Sequence, residues 1–126
     1  MLRKIDCVML RVGDLDAAAH FYENVFGLRR LWSDASSVGL GMPETDAEIV
    51  LHTMDLTSDL GVHYLVDDVR TAVAAYEERG LTVREPPFEI EVGWCAVLAD
   101  RDDNPICVLD LSKGHREAST TTRTDD

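Results

Sequence analysis

Several features are missing from this sequence of 126 residues, and their absence narrows the class of protein. No apolar run approaches the roughly 20 residues that a membrane-spanning helix requires, and the N-terminal residues contain no signal-peptide core. We therefore expect a soluble, cytoplasmic protein with no membrane partner. The three cysteines are odd in number, scattered and without a CxxC pair, which argues against a disulfide framework.

Motifs of several enzyme classes are missing as well. The sequence has no glycine-rich phosphate-binding loop, no GxSxG motif and no Walker-type lysine. No serine lies in a context that would activate it as a nucleophile. The motifs therefore indicate no catalytic residue and no cofactor.

Basic residues are scarce. The chain has 12 Lys and Arg against 24 Asp and Glu, a formal net charge of −12. Residues 113–126 contain three bases and three acids, so the whole negative charge belongs to residues 1–112. Such a domain repels phosphate backbones and anionic membranes, which makes nucleic acid an unsuitable partner. A cationic small molecule would be attracted.

The sequence contains an internal repeat with an offset of 54 residues. Residues 8–28 read VMLRVGDLDAAAHFYENVFGL, and residues 62–81 read VHYLVDDVRTAVAAYEERGL. Each copy predicts a strand, an aspartate at a helix N-cap, an apolar helix and a glycine that ends it. The matched pairs are Val8 and Val62, Val12 and Val66, Asp14 and Asp68, Ala18 and Ala72, Tyr22 and Tyr76, Glu23 and Glu77, and, after one gap, Gly27 and Gly80.

Three strand-like runs follow each helix. Turn-forming residues separate the runs, among them Glu-Pro-Pro at 85–87. The order βαβββ, repeated twice, predicts one α+β domain over residues 1–112, with repeats at about 3–54 and 60–112. We expect residues 113–126 to form a flexible polar tail. The predicted runs are 28–32, 37–40 and 48–53 in the first half and 81–84, 90–99 and 106–111 in the second.

A four-stranded sheet of this kind buries one face under its helix and leaves the other partly open. Two such sheets side by side predict an open, curved, mixed sheet in the form of a cup, with the helices on the outer face. A cup of this kind is a suitable place for a ligand.

Two motifs resemble the vicinal oxygen chelate superfamily, which includes glyoxalase I, bleomycin resistance proteins and extradiol dioxygenases. The first is IDCVMLRVGDL at residues 5–15, followed by FY at 21–22 and FGL at 26–28. The second is DRDDN at residues 100–104, which is similar to that superfamily's DPDGN turn. The resemblance covers about residues 3–112. It implies the cup-shaped fold and a homodimer, but not one function, because functions in this superfamily diverge widely.

The resemblance also locates a metal site. Enzymes of the superfamily hold a divalent metal with four side chains, from the first and last strands of each repeat. Those positions fall on Cys7, Leu51, Gly61 and Cys107 of this sequence. Leu and Gly offer no ligand, and a hard cation gains little from thiols. We therefore expect the usual metal site to be absent.

Strand alternation places Cys7, Met9 and Arg11 on one face, and His63 on the equivalent face of the second repeat. Cys107 should share that face. Two readings of Cys7, His63 and Cys107 stay open: they converge as a soft, zinc-type ligand set, or the cysteines are small core residues and His63 is a hydrogen-bonded sheet residue. His52 should point to the opposite face from Leu51.

Arg11 and the two tryptophans also have two readings each. The resemblance to glyoxalase I implies that Arg11 contacts a substrate, whereas the acidic composition favours an ion pair. Trp32 and Trp94 either wall the cup and stack on a flat ligand or simply pack in the core. The candidate ligand-binding residues are Cys7, Met9, Arg11, Trp32, Leu51, His63, Trp94 and Cys107.

These features favour metal-free binding or sequestration of a small, possibly cationic aromatic molecule in the cup. By resemblance to the bleomycin resistance proteins, such sequestration implies an antibiotic-resistance role. The alternative is a glyoxalase-like lyase or isomerase, or a dioxygenase-related enzyme, with a non-standard site at Cys7, His63 and Cys107. A third hypothesis is a partner-binding module whose cup is filled by its own side chains.

Overall fold

The computed structural model describes residues 1–114, so nearly all of the predicted tail lies outside the described residues. Contacts divide the chain into two units. Of the described residues, the N-terminal unit consists of 7–56, and the C-terminal unit consists of 1–6 together with 57–114. No helix among the described residues is both long and apolar enough to cross a membrane.

Each half of the described chain contains four strands and one helix in the order βαβββ. In the N-terminal half these are β1 (Lys4–Arg11), α1 (Leu15–Val25), β2 (Arg29–Ser33), β3 (Ser37–Met42) and β4 (Thr45–His52). In the C-terminal half a short 3₁₀ turn (Ser58–Leu60) precedes β5 (Val62–Leu65), α2 (Val69–Glu78), β6 (Thr82–Ile90), β7 (Gly93–Ala99) and β8 (Pro105–Leu109).

The sheet of the N-terminal unit has the strand order β2-β3-β4-β1. The pair β1–β4 is parallel and the other two pairs are antiparallel, so the sheet is mixed. Helix α1 begins at Asp14, whose carboxylate accepts a hydrogen bond from the Ala17 amide at 3.0 Å. Its apolar side packs on Val38, Leu40 and Leu51 through Ala19 and its neighbours.

The sheet of the C-terminal unit has the order β5-β8-β7-β6, again with one parallel pair, β5–β8. Asp68 caps α2 by accepting from the Thr71 amide at 2.9 Å. Val69 and Val73 of α2 pack on Leu98 and Val108 of the sheet. Each helix therefore covers one face of its own sheet.

The two units repeat the same internal hydrogen bonds. Val12 N donates to His52 O at 2.8 Å, and Val66 N donates to Leu109 O at 2.9 Å. These bonds also show which residues of the last strands are equivalent: 52 corresponds to 109, and 50 to 107. The predicted class, α+β with two βαβββ repeats and mixed sheets, is confirmed.

One predicted break is wrong. Residues 85–87, with Pro86 and Pro87, belong to β6 rather than to a turn. Proline cannot donate to a strand ladder, so it is tolerated only where no donor is needed. Strand β6 is the outermost strand of its unit's sheet, and its pairing with β7 shifts register on both sides of Glu85.

Asp110, directly after β8, ties together three segments of the C-terminal unit. Only 1% of its surface is exposed, and its carboxylate accepts from Val69 N (2.8 Å), Trp94 N (3.0 Å) and Ser112 Oγ (2.8 Å). A side chain at Gly93 would overlap this carboxylate. Burial acts to raise the pKa of Asp110, but these hydrogen bonds outweigh it and lower the pKa below its ordinary value.

We predict that Asp110→Asn lowers the free energy of unfolding at pH 7 by about 3 kcal/mol, because buried amide donors lose a charged acceptor. Since the folded-state pKa is depressed, the wild-type contribution is present above about pH 4 and is lost as pH falls through the folded pKa. Urea unfolding between pH 3 and 7 should therefore show a flatter profile for the variant. The exposed control Asp102→Asn should change stability by less than about 0.5 kcal/mol; an equal effect of both substitutions would contradict this role.

Candidate functional site

The face of the N-terminal sheet opposite α1 carries three of the eight predicted ligand residues, Cys7, Met9 and Trp32. We call it the helix-free face of that unit; its buried cluster is Cys7, Trp32 and Val50, with Met9 packed against it. Strand register sets Cys7 beside Glu48 and Met9 beside Val50. Glu48 therefore belongs to the same face.

The predicted orientation of Leu51 is wrong. Leu51 packs under α1 with Val38 and Leu40, whereas Val50 lies on the helix-free face. His52 is two residues from Val50, so its side chain lies on the helix-free face, where Leu51 was expected. It is buried, and its Nδ1 accepts from the Met54 amide at 3.1 Å.

Trp32 lies flat against its own sheet. Its indole sits directly over Gly39, where any side chain would overlap the ring. The indole Nε1 donates to Glu48 Oε1 at 2.7 Å, and only 6% of the residue is exposed. The Trp32 ring thus forms part of the surface of the helix-free face, and its hydrogen bond fixes the position of the Glu48 carboxylate.

Arg11 makes an ion pair, as one of its two readings expected. Its Nη1 lies 3.2 Å from Asp55 Oδ1, and both side chains are largely exposed. An exposed pair of this kind contributes about 0–1 kcal/mol, so it leaves the guanidinium able to exchange partners.

A cleft opens at the outer strands of the N-terminal unit. Its volume is about 370 Å³, and it lies where the β3–β4 turn meets β2. Both acidic and apolar side chains line it. The lining residues are Arg29, Leu31, Gly41, Met42, Pro43, Thr45, Asp46, Ala47 and Glu48.

The helix-free face of the C-terminal unit is apolar. Its buried cluster is Leu65, Cys95, Val97, Cys107 and Leu109. All three cysteines of the chain are buried thiols, with no disulfide among them. Cys95 Sγ and Cys107 Sγ lie only 3.3 Å apart.

His63 is the register partner of Cys107 across the β5–β8 pair. Its Nε2 lies 2.9 Å from Leu60 O, and because a carbonyl only accepts, this nitrogen carries the proton. Burial lowers the pKa of His63 below 6.5; the bond to Leu60 and the charge of Asp6 act in the opposite direction. The imidazole is therefore neutral at pH 7, as one reading of the sequence expected for a hydrogen-bonded sheet histidine.

Trp94 packs in the core, as one of its two readings expected, and not on the helix-free face. Its ring packs with the core under α2, and the Arg70 guanidinium of that helix lies 4.5 Å from the ring centroid. The contact is a cation–π interaction between a helix and its own sheet. Trp94 is therefore on the covered face, while its neighbour Cys95 is on the helix-free face.

The residues do not fit a hard divalent metal. Because position 50 is equivalent to position 107, the metal-ligand position of the first repeat's last strand is Val50 and not Leu51. Gly61 still occupies the ligand position of the second repeat's first strand. Neither residue has a donor atom, and the Cys107 thiol contacts a second thiol. Within residues 1–114 no group of three or more His, Cys, Asp or Glu side chains is arranged to hold a metal ion.

Sequence reasoning missed two site residues, Glu48 and Cys95. Glu48 begins the apolar run that was predicted to be a strand, and alternation from Val50 would have placed it on the same face. The contact of Cys95 with Cys107 follows from the β7–β8 hairpin, in which Ala99 pairs with Pro105 and Val97 with Cys107.

The profile of the Glyoxalase/Bleomycin resistance protein/Dioxygenase superfamily matches residues 4–108. This chain belongs to that superfamily, which confirms the resemblance found in the sequence. No curated protein sequence matches the chain.

Solved structures share the fold at low identity. Methylmalonyl-CoA epimerase from Mycobacterium tuberculosis is 17% identical with a TM-score of 0.68, over 86% of this chain and 88% of that one. A Streptomyces coelicolor methylmalonyl-CoA epimerase in complex with 2-nitronate-propionyl-CoA is 17% identical with a TM-score of 0.67, over 87% and 98%. The NAD-dependent benzaldehyde dehydrogenase from Legionella pneumophila is 17% identical with a TM-score of 0.66, over 83% and 97%. At this identity the likeness establishes the fold alone.

We predict that Gly39→Ala displaces Trp32 and breaks its hydrogen bond to Glu48. The added methyl group overpacks the sheet surface, so the free energy of unfolding should fall by about 1–3 kcal/mol and tryptophan emission should shift to the red. Gly13→Ala is the matched control, because a methyl group there meets open space. Wild-type stability and emission in Gly39→Ala would show that Trp32 is not held in this position.

We predict that His63 titrates below its ordinary pKa of 6.5 in the folded protein. Because the unfolded chain binds this proton more readily, the free energy of unfolding should decline as pH falls from about 6.5 through the folded pKa. His63→Gln should reduce that decline. NMR titration of the imidazole signals tests the first point, and a pKa at or above 6.5 would contradict it.

Proposed function

We propose that this protein binds and sequesters a small, cationic, partly aromatic molecule without the help of a metal. The observation that carries the proposal is the cleft beside Glu48, whose carboxylate the Trp32 indole holds in place. The superfamily membership accounts for the fold, and we infer the class of ligand from the side chains that line this cleft.

The size and lining of the cleft support a ligand of this kind. Its volume of about 370 Å³ falls within the range of about 300–1,000 Å³ typical of small-molecule sites. Leu31, Met42 and Pro43 offer apolar contact, while Asp46 and Glu48 offer negative charge. A molecule with a flat apolar body and one positive group would satisfy both.

The charge of the whole domain supports the same sign of ligand. A net charge of −12 raises the local concentration of cations near the protein and disfavours anions. Glu48 is half-buried, so its charge is less screened by salt than that of a fully exposed carboxylate. Arg29 at the rim of the cleft limits how many positive groups one ligand can carry.

The enzymatic alternative has weaker support. It assigns chemistry to Cys7, His63 and Cys107, but the Cys107 thiol contacts Cys95 and the His63 N–H is engaged by a backbone carbonyl. A lyase or isomerase would also need an acid–base pair, whereas the hydrogen bond that His63 makes is to a backbone carbonyl and not to a carboxylate.

The proposal includes the setting inferred from the sequence. We place the protein in the cytoplasm as a homodimer that binds neither nucleic acid nor membrane. If the bound molecule is toxic, sequestration of this kind protects the cell, as an antibiotic-resistance protein would. Size-exclusion chromatography with light scattering tests the oligomeric state.

We predict that thioflavin T, a cationic aromatic dye, binds the wild-type protein and that Glu48→Gln weakens its Kd about tenfold, or about 1.4 kcal/mol. Glu44→Gln is the matched control, because Glu44 lies in the same β3–β4 turn, is exposed and does not line the cleft. Fluorescence titration and isothermal calorimetry give both constants. The anionic dye 8-anilinonaphthalene-1-sulfonate should bind at least tenfold more weakly. Equal weakening by the two substitutions, or tighter binding of the anion, would overturn the proposal.

A further inference from the structure

The proposed ligand cleft leaves one reactive pair of side chains unexplained. Cys95 and Cys107 face each other inside the C-terminal unit, with their sulfurs 3.3 Å apart. They lie on adjacent antiparallel strands in diagonal positions, since Cys95 pairs with Leu109 and Cys107 with Val97. At most 1% of either residue is exposed.

We propose that Cys95 and Cys107 form a modification site, in which a peroxide converts the two thiols to an intrachain disulfide. Two sulfurs at 3.3 Å are nearer than ordinary van der Waals contact and must approach by little more than 1 Å to reach the bonded distance of about 2.04 Å. The twist of antiparallel strands brings one diagonal pair of side chains closer together. In this hairpin it draws the sulfurs of Cys95 and Cys107 toward each other.

The surroundings favour a neutral product. The pair is enclosed by Leu65, Val97 and Leu109, and Phe88 packs against the same cluster. A disulfide carries no charge and needs no solvation, whereas a thiolate in this cluster is costly. The hydrogen bond from Cys107 lowers the pKa of Cys95 despite burial, which favours Cys95 as the attacking sulfur.

The oxidant in this proposal approaches the pair at β6. Phe88 of β6 is the register partner of Cys95 and packs against the same cluster, so this strand flanks the pair. Just before Phe88, Pro86 and Pro87 have no N–H to donate, and the β6–β7 register shifts there. A segment with fewer ladder hydrogen bonds opens at lower free energy than the rest of the sheet, and hydrogen peroxide is small enough to use such an opening.

The chemistry balances in two steps. The Cys95 thiolate attacks one peroxide oxygen, the O–O bond breaks, and a sulfenic acid and hydroxide form; the hydroxide takes a proton to become water. The Cys107 sulfur then attacks the Cys95 sulfur, the S–O bond breaks, and the hydroxyl leaves as a second water with the Cys107 proton. Two thiols are oxidised by two electrons, and one peroxide is reduced to two waters.

Mass spectrometry tests the proposal on the folded chain of 126 residues. After hydrogen peroxide treatment and alkylation of remaining thiols in denaturant, we expect one alkylated cysteine per chain, Cys7, in place of three. Trypsin cleaves at Arg101 between the two cysteines, so the disulfide should appear as two linked peptides that dithiothreitol separates. Reduction should restore all three alkylation sites.

Three variants make the result specific. Cys7→Ser should form the linked peptides like the wild type, whereas Cys95→Ser and Cys107→Ser should lose them. Circular dichroism establishes whether each variant is folded. If a variant is unfolded, the presence or absence of the linked peptides in the oxidised wild type still tests the proposal. Unmodified thiols, sulfinic acid without a link, or a disulfide that includes Cys7 would each overturn the proposal. Because none of these readouts involves dye binding, failure here is distinguishable from failure of the proposed function.

Discussion

Each unit of this protein has a single helix to cover a two-faced sheet, and most other features follow from that constraint. One face can be packed conventionally, with alanine and valine of the helix against leucine and valine of the strands. The opposite face must be closed by its own side chains. In the N-terminal unit Trp32 folds down over Gly39 to do this, and in the C-terminal unit a sulfur and aliphatic cluster around Cys95 and Cys107 does it.

The two copies have diverged on the helix-free faces while retaining the same supports. Both helices begin with an aspartate cap, and both parallel pairs are extended by an equivalent backbone hydrogen bond. Those supports depend on the backbone and on one carboxylate. The side chains on the helix-free faces can therefore change without loss of the fold. For this reason the fold of this superfamily does not determine its chemistry.

Much of the fold was predictable because its signals are local. An aspartate followed by an apolar helical pattern and a glycine marks each helix without reference to distant residues. The phase of β4 was harder to predict. Ile49, Val50 and Leu51 are all apolar, so alternation alone does not tell which of them faces the helix; the pairing of Met9 with Val50 decides it.

The site was less predictable than the fold, since it depends on pairs that only the register brings together. Trp94 and Cys95 are neighbours in sequence but lie on opposite faces, and the assignment of both reverses if the strand shifts by one. The break predicted at Pro86 rests on the missing N–H of proline. It failed because β6 needs no donor along that side.

Proline in an outermost strand has a consequence for how molecules of this protein meet. A sheet edge with a full row of N–H and C=O groups can recruit a strand from a neighbouring molecule and so begin aggregation. In β6 two consecutive residues lack the N–H, and the register shifts interrupt the row further. In the N-terminal unit, the outermost strand β2 carries Arg29 and Arg30 together with its own register irregularity. At high concentration, molecules of this protein can therefore meet along β2 or β6 without forming intermolecular strand pairs.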